Sequence, residues 1–401
     1  MITVNDITSQ VNYYSSFINT DLARFYLDRR NGPVRDTREH LKAAISWICQ
    51  AQDASGDGGV ARSYSLIYNP YFKCKGWAPS YPETTGYIIE TLFDYAHLTK
   101  RSDIYDRAIR MAEWECDVQL NNGAVQGGTI AQPPIPAIFN TGQVLFGWIR
   151  AYQETGKAKY IDCAVKAGNY LVEQQDPDGS WRKNLSPYAS DELSYHTYNT
   201  RTAWAVLLLS TVDNNARFRE AATRNIEFAL GQQLDNGWFK SNCLNEPSQP
   251  LLHTIAYCIR GILESGIILK DRHFIKQAKK AADALAGQQR GDGSLSGRFN
   301  DRWEPTVPWS CLTGDAQTSI VWSRLYQTTG EARYLDCISK VNGYLKGVQL
   351  LKTCNPCLYG GIGGSDPLHG GYGKFEILNW AVKFFIDALM LEMSMQRTST
   401  Q

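Results

Sequence analysis

A seventeen-residue segment beginning at Thr155, TGKAKYIDCAVKAGNYL, recurs at Thr329 as TGEARYLDCISKVNGYL, with Gly, Ala, Tyr, Asp, Cys, Lys and a closing Tyr-Leu in register 174 residues apart. An internal repeat restricts a fold more than composition can, because every copy must adopt the same local structure and bury the same face against its neighbours. A finer period lies inside it. A glutamine followed four residues later by a glycine occurs at Gln52 and Gly56, Gln119 and Gly123, Gln175 and Gly179, Gln233 and Gly237, and Gln289 and Gly293, while Gln349 keeps the phase without the glycine. Successive glutamines stand 56 to 67 residues apart, about a third of 174, so the chain holds about six units.

Within a unit the pattern reads helix, short turn, helix, glycine-rich loop. FNTGQVLFGWIRAYQETG is an apolar helix stopped at Gly156, and KAKYIDCAVKAGNYLVEQQ is an amphipathic one with apolar residues at helical spacing. Glycine suits the left-handed turn that closes a helix, and the glutamine amide can satisfy backbone groups that a helix end leaves unpaired. Inner-type helices are expected to begin near Glu83, Asn140, Tyr198, His253, Asp315 and Glu376, and outer-type helices to end at the glutamines. The outer helix before Gln52 has no preceding inner partner, and the inner helix EILNWAVKFFIDALML has no following outer one. Pairing these two closes a ring. The expected fold is therefore all-α, a single (α/α)6 toroid of six inner and six outer helices over residues 36–401, with residues 1–35 as a helical extension packed on the ring.

Apolar residues make up 43% of the 401, enough for one large core. The formal net charge is +1 and no block of like charge is present, which argues against a nucleic-acid partner. The start MITVNDITSQ has neither the basic residues nor the apolar core of a secretory signal, and IAYCIRGILESGIIL is interrupted by Arg260 and Glu264, so no transmembrane segment and a cytoplasmic setting are expected. Ten scattered cysteines fit reduced thiols. Cys354 and Cys357 form one C-x-x-C without the further ligands of a zinc site, so neither metal nor cofactor is expected.

AGNYLVEQQDPDGSW, Ala167 to Trp181, and FALGQQLDNGWF resemble the Gln-Trp repeats of squalene and other triterpene cyclases. That resemblance extends over most of the chain as repeat architecture and implies the toroid scaffold, since the motifs tie helix ends together in that family. The D-x-D-D proton donor of triterpene cyclisation and the aspartate-rich magnesium motif of ionising terpene synthases are absent. GGIGGSDPLHGGYGKFEILNWAV is similar to the closing segment of protein prenyltransferases, but Asn379 stands about where a ligand histidine belongs. YPETTGYIIETL, YNTRTAW and LTGDAQTSIVW together resemble toroid proteins encoded among bacterial capsule and exopolysaccharide genes.

In such a ring the long loops entering the inner helices lie on one face, where the helix N-termini converge on a central cleft and favour anionic groups. The polar residues at those N-termini make up the candidate site: Tyr81 and Glu83, Asn140, then Tyr195, His196, Tyr198, Asn199 and Arg201 of SYHTYNTR, then His253, Asp315 with Gln317, and Asn379. Trp77 and Trp309 are candidate platforms for sugar rings, whereas Trp181 and Trp238 fall in the Gln-Gly loops and read as packing. Each residue has a structural alternative. Glu83 and Asp315 suit first-turn caps, the histidines suit satisfied core positions, and Arg201 suits an ion pair with Asp191 or Glu192. Their meeting on one face is what argues for a site.

Two chemistries use this set. A lyase or epimerase acting on a uronate must neutralise its carboxylate, a role for Arg201 and Asn199, and move the C5 proton with His196 and Tyr198 as base and acid. A glycosidase needs two carboxyls flanking the bond, and Glu83 with Asp315 is the available pair. The expected function is a carbohydrate-active protein of bacterial surface-polysaccharide metabolism acting on a uronate-containing glycan. A glycan- or lipid-glycan-binding scaffold without turnover and an isoprenoid or terpenoid cyclase-like enzyme are the alternatives.

Overall fold

The computed structural model describes residues 4–17, 22, 23, 25, 35–189 and 193–398. Thirteen α-helices are present among these residues. The short helix α1 (Val4–Ser16) precedes the ring. Outer helices α2 (Thr37–Ser55), α4 (Ser102–Asp117), α6 (Ala158–Glu173), α8 (Ala216–Leu230), α10 (Arg272–Ala286) and α12 (Arg333–Val348) alternate with inner helices α3 (Pro82–Thr99), α5 (Ile138–Thr155), α7 (Thr200–Asp213), α9 (Leu252–Leu269), α11 (Leu312–Thr329) and α13 (Asn379–Thr398).

The inner helices pack side by side in the order α3, α5, α7, α9, α11, α13, and α13 returns to α3. The orphan outer helix α2 packs on α13, so the ring closes between the first and the last of its helices. Because inner helices are enclosed on all sides, they are buried nearly all round, whereas outer helices bury one face only. Among the described residues α9 alone is long and apolar enough to cross a membrane, yet 78% of it is buried as an inner helix. Glycines bring the inner backbones together: a Cβ on Gly86 of α3 would lie 2.5 Å from Val144 Cα of α5, and one on Gly147 would lie 2.3 Å from Gly86 O.

The repeated glutamines are cross-links between units. Gln119 Nε2 donates to Gly123 O at 2.9 Å and to Cys163 O of the next outer helix at 2.9 Å. Gln175, Gln233 and Gln289 donate in the same way to Ala221, Gln277 and Cys337, and Gln52 reaches Gly58 O and Arg107 O. Gln349 completes the circuit by donating to Gly360 O at 2.9 Å and to His40 O of the first outer helix at 3.1 Å. Gly360 thus supplies the missing partner glycine, displaced along the chain by the loop that carries Cys354 and Cys357. The loop glycines cannot be replaced without strain. Gly179 has φ +88°, and a Cβ there would meet Arg224 O at 2.5 Å.

The structure adds strands that the helical pattern does not announce. β1 (Ser63–Asn69) is central between β2 (Cys74–Trp77) and β5 (Glu376–Leu378), both antiparallel to it, with Ser63 opposite Leu378. A second small sheet pairs β3 (Ser310–Cys311) with β4 (Ser365–Asp366). Glu376 therefore opens a strand and not the last inner helix, which starts at Asn379. The helix α1 lies against β1, where Ser16 Oγ accepts from the amide of Tyr68 at 3.0 Å and Phe17 packs edge-on to Phe375.

Candidate active site

The second residue of each inner segment forms a layer at one mouth of the ring. Glu83, Phe139, His253 and Trp380 hold that position in α3, α5, α9 and α13, and Tyr198 holds it in the 3-10 turn Thr197–Asn199 that leads into α7. All five line one cavity of about 370 Å³, and only Thr313 of α11 does not. The remaining wall comes from strand ends and loops, chiefly Arg62, Asn69, Tyr81, Tyr188, Arg298, Tyr372, Lys374 and Glu376.

Glu83 is the chemically distinctive member. It is 8% exposed, and its Oε2 accepts from the Tyr81 hydroxyl at 2.5 Å. Burial raises its pKa to about 7, against the lowering effects of the Tyr81 hydrogen bond and the Arg201 and Arg62 charges. A carboxyl that holds its proton near neutrality is suited to general acid work. Asn140 stands behind it with Nδ2 3.4 Å from the Tyr81 oxygen.

The other lining carboxylate is already committed. Glu376 Oε1 accepts from Arg62, Ser63 and Asn69 at 3.1, 3.2 and 3.0 Å, and its Oε2 accepts from Arg62 at 3.0 Å. The Arg62 guanidinium is sandwiched near Phe72 (4.1 Å) and Trp380 (4.9 Å). Burial disfavours its charge, but the Glu376 carboxylate together with Tyr188 and Tyr81 holds its pKa above the ordinary value. His253 donates from Nδ1 to Gln317 Oε1 at 2.9 Å, because an amide oxygen only accepts. Burial lowers its pKa to about 4, so it is a neutral imidazole.

Several sequence candidates stand behind the cavity. Asp315 is the fourth residue of α11, and its Oδ1 accepts from the amide of Leu295 at 3.0 Å. Thr85 and Thr141, fourth in α3 and α5, accept from Val60 and Val125 in the same way. Asp315 is thus a repeat-supporting residue facing a loop, and burial holds its pKa well above the usual carboxylate range. It does not form a pair with Glu83 across the cavity.

Arg201 is fully buried below the floor. Its Nε donates to Gln143 Oε1 at 2.6 Å, and aromatic rings surround it, with Tyr257 at 4.8 Å between it and the cavity. Asp191 and Glu192 lie outside the described residues. His196 Nδ1 is bonded to Cys243 O at 2.6 Å and its ring backs Tyr198. Tyr195 donates to Gln232, and Asn199 is buried at the foot of α7. Asn379 bridges Ala61 O and Thr84 Oγ1. Trp77 packs on Trp47 and Tyr64, and Trp309 is pressed against Gly297 and Gly371. Among the described residues no three His, Cys, Asp or Glu side chains converge as a metal site, and no aspartate lines the cavity.

The squalene-hopene cyclase C-terminal domain family model matches residues 79–267. No curated protein matches the chain in sequence. Among solved structures, an unsaturated glucuronyl hydrolase specific for heparin superposes with a TM-score of 0.70 at 15% identity, covering 90% of this chain and 98% of that one. The chain is an α/α toroid. The unsaturated glucuronyl hydrolase of Bacillus sp. GL1 matches this toroid at TM-score 0.69 and 12% identity, covering 88% and 96% of the two chains. That of Streptococcus agalactiae matches at 0.63 and 13%, covering 92% and 94%. The cavity of this toroid is lined by Arg62, Arg298 and Lys374 and by hydrogen-bonding and aromatic groups, with Glu83 and Glu376 as its carboxyls.

The residues that sequence reasoning missed include Arg62, Asn69, Phe139, Tyr188, Arg298, Tyr372, Lys374, Glu376 and Trp380. Those outside the inner helices do not repeat in phase with the glutamines. The available signal was in Phe139 and Trp380, which hold the same second position as Glu83 and His253.

Proposed function

We propose that the protein is a hydrolase of uronate-containing glycans and that Glu83 delivers the proton. The observation that carries this is a single buried carboxyl with a pKa raised to about 7, in the wall of a cavity that also supplies Arg298 and Lys374 for an anionic sugar and Trp380 and Tyr372 for its ring. Hydrolysis of an ordinary glycoside needs a second, free carboxylate. Here the second one, Glu376, is held by four hydrogen bonds. A 4,5-unsaturated uronate is an enol ether: one carboxyl can protonate C4 and take back the proton that water loses as it adds at C5, and the resulting C5 hemiketal opens to a ketone, leaving C1 as a hemiacetal that expels the attached sugar. The single acid of this cavity matches that demand, and the fold-level neighbours named unsaturated glucuronyl hydrolases support the same reading.

The test is direct. Unsaturated uronyl disaccharides are incubated with the protein while the ultraviolet absorbance of the enol ether and the formation of reducing ends are followed. Both should change together, and Glu83→Gln should slow them by roughly a hundredfold or more. Retained turnover in Glu83→Gln would remove the proposal.

A further inference from the structure

The cavity of about 370 Å³ opens at one mouth, and any part of a glycan that it does not enclose must leave through that mouth. One side of that mouth is built around an exposed aromatic ring. Tyr71, at the tip between β1 and β2, is 57% exposed, and its ring rests 5.9 Å from that of Tyr188, which lines the cavity. Exposure of a single tyrosine is unremarkable on its own. This one is fixed from three directions. Gln132 Nε2 donates to its hydroxyl at 3.1 Å. Asn69 Oδ1 accepts from the amides of Tyr71 and Phe72 at 3.0 and 3.2 Å, setting the turn. Asn69 Nδ2 meanwhile holds Glu376 inside the cavity at 3.0 Å. The same side chain therefore ties the exposed ring to the cavity wall.

The hydroxyl of the ring is hydrogen-bonded from a neighbouring loop, and more than half of the side chain is left to solvent, where an aromatic face is open to a ligand. Such a face attracts the positively polarised C–H edges of a pyranose. We propose that Tyr71 and Tyr188 form a stacking platform for the sugar adjoining the uronate, so that the protein prefers oligosaccharides to single uronate glycosides. This inference rests on the hydrolase reading of the cavity and adds the length of its substrate. The occupant follows from continuity, since Tyr188 belongs to both the cavity wall and the platform.

The test compares wild type, Tyr71→Phe and Tyr71→Ala on an unsaturated uronyl tetrasaccharide and on the methyl glycoside of the same uronate. Tetrasaccharide binding to each protein is also measured by calorimetry. Tyr71→Ala should raise KM for the tetrasaccharide at least fivefold relative to the methyl glycoside and weaken tetrasaccharide binding to match, whereas Tyr71→Phe, which keeps the ring, should stay within about twofold of wild type. Equal KM ratios in wild type and Tyr71→Ala would overturn the platform while leaving the hydrolase reading intact. Binding that depends on Tyr71 without turnover in any protein would overturn the hydrolase reading and keep the platform. If no tetrasaccharide binds wild type, or if Tyr71→Ala changes self-association and not KM, the ring serves another surface and the platform is rejected.

Discussion

Tyr81, the residue before α3, donates its hydroxyl to Oε2 of Glu83, two residues into that helix, across 2.5 Å. The bond favours the charged carboxylate and so works against the burial that keeps Glu83 protonated. Tyr81→Phe should therefore raise the Glu83 pKa above about 7. An acid is active only while protonated, so the falling alkaline limb of the kcat/KM profile should move to higher pH. A limb that stays in place or moves to lower pH would show that Glu83 is not the group titrating.

The same shift has a consequence for stability. Glu83 folds with a pKa of about 7 against an unfolded 4.5. Between those values the folded state keeps a proton that the unfolded chain releases, so stability is full below about pH 4.5 and falls as pH rises to about 7. The loss amounts to about 3 kcal/mol. Glu83→Gln, neutral throughout, should unfold at higher denaturant than wild type at pH 8, with the difference vanishing near pH 4.5. Parallel denaturation curves at the two pH values measure it.

Asp315 distinguishes support from catalysis. An asparagine oxygen can accept the Leu295 amide as the carboxyl oxygen does, so Asp315→Asn should keep turnover and stability near wild type. Asp315→Ala leaves that amide without its partner inside the protein and should cost about 1 to 3 kcal/mol. Loss of turnover in a stably folded Asp315→Asn would restore it to the catalytic pair.

Tyr198 separates hydrolysis from proton abstraction. Burial pushes its hydroxyl pKa upward, away from the range of a working base. Tyr198→Phe should lower turnover by less than about tenfold while Glu83→Gln loses roughly a hundredfold or more. The reverse order, with new unsaturation in the product, would mark a lyase.

The ring could be read from the sequence because the glutamines repeat, and each makes the same two bonds wherever it recurs. The half of the cavity made by Glu83, Tyr198 and His253 was also legible, since polar residues stand out against apolar inner helices. Asp315 looked equivalent to Glu83 because both are acids near a helix start. Two residues along a helix, however, turn a side chain by about 200°. That difference puts Glu83 in the cavity and Asp315 against the loop. Arg62 and Glu376 were hidden because their pairing is a contact between strands 313 residues apart in the case of Ser63 with Glu376, and no local period reports such a contact. Glu376 reads as the start of a helix until β1 claims it as a strand.

Gln349→Ala should be the most damaging of the glutamine truncations. It strips His40 O and Gly360 O of a buried donor and removes the acceptor 2.6 Å from His40 Nδ1. A loss of about 2 to 4 kcal/mol in urea unfolding is expected, larger than for the half-exposed Gln175.

That closing bond also sets when the protein can work. Arg62 and Glu83 are made early by the ribosome, and Tyr372, Glu376 and Trp380 come some three hundred residues later. The opposing walls of the cavity therefore sit on either side of the clasp. A nascent chain that has not yet emitted its last inner helix carries Glu83, Tyr188 and Arg298 but not Tyr372, Glu376 or Trp380, so one wall of the cavity is missing until that helix is made, and the cavity is completed in one step and not in proportion to the length made.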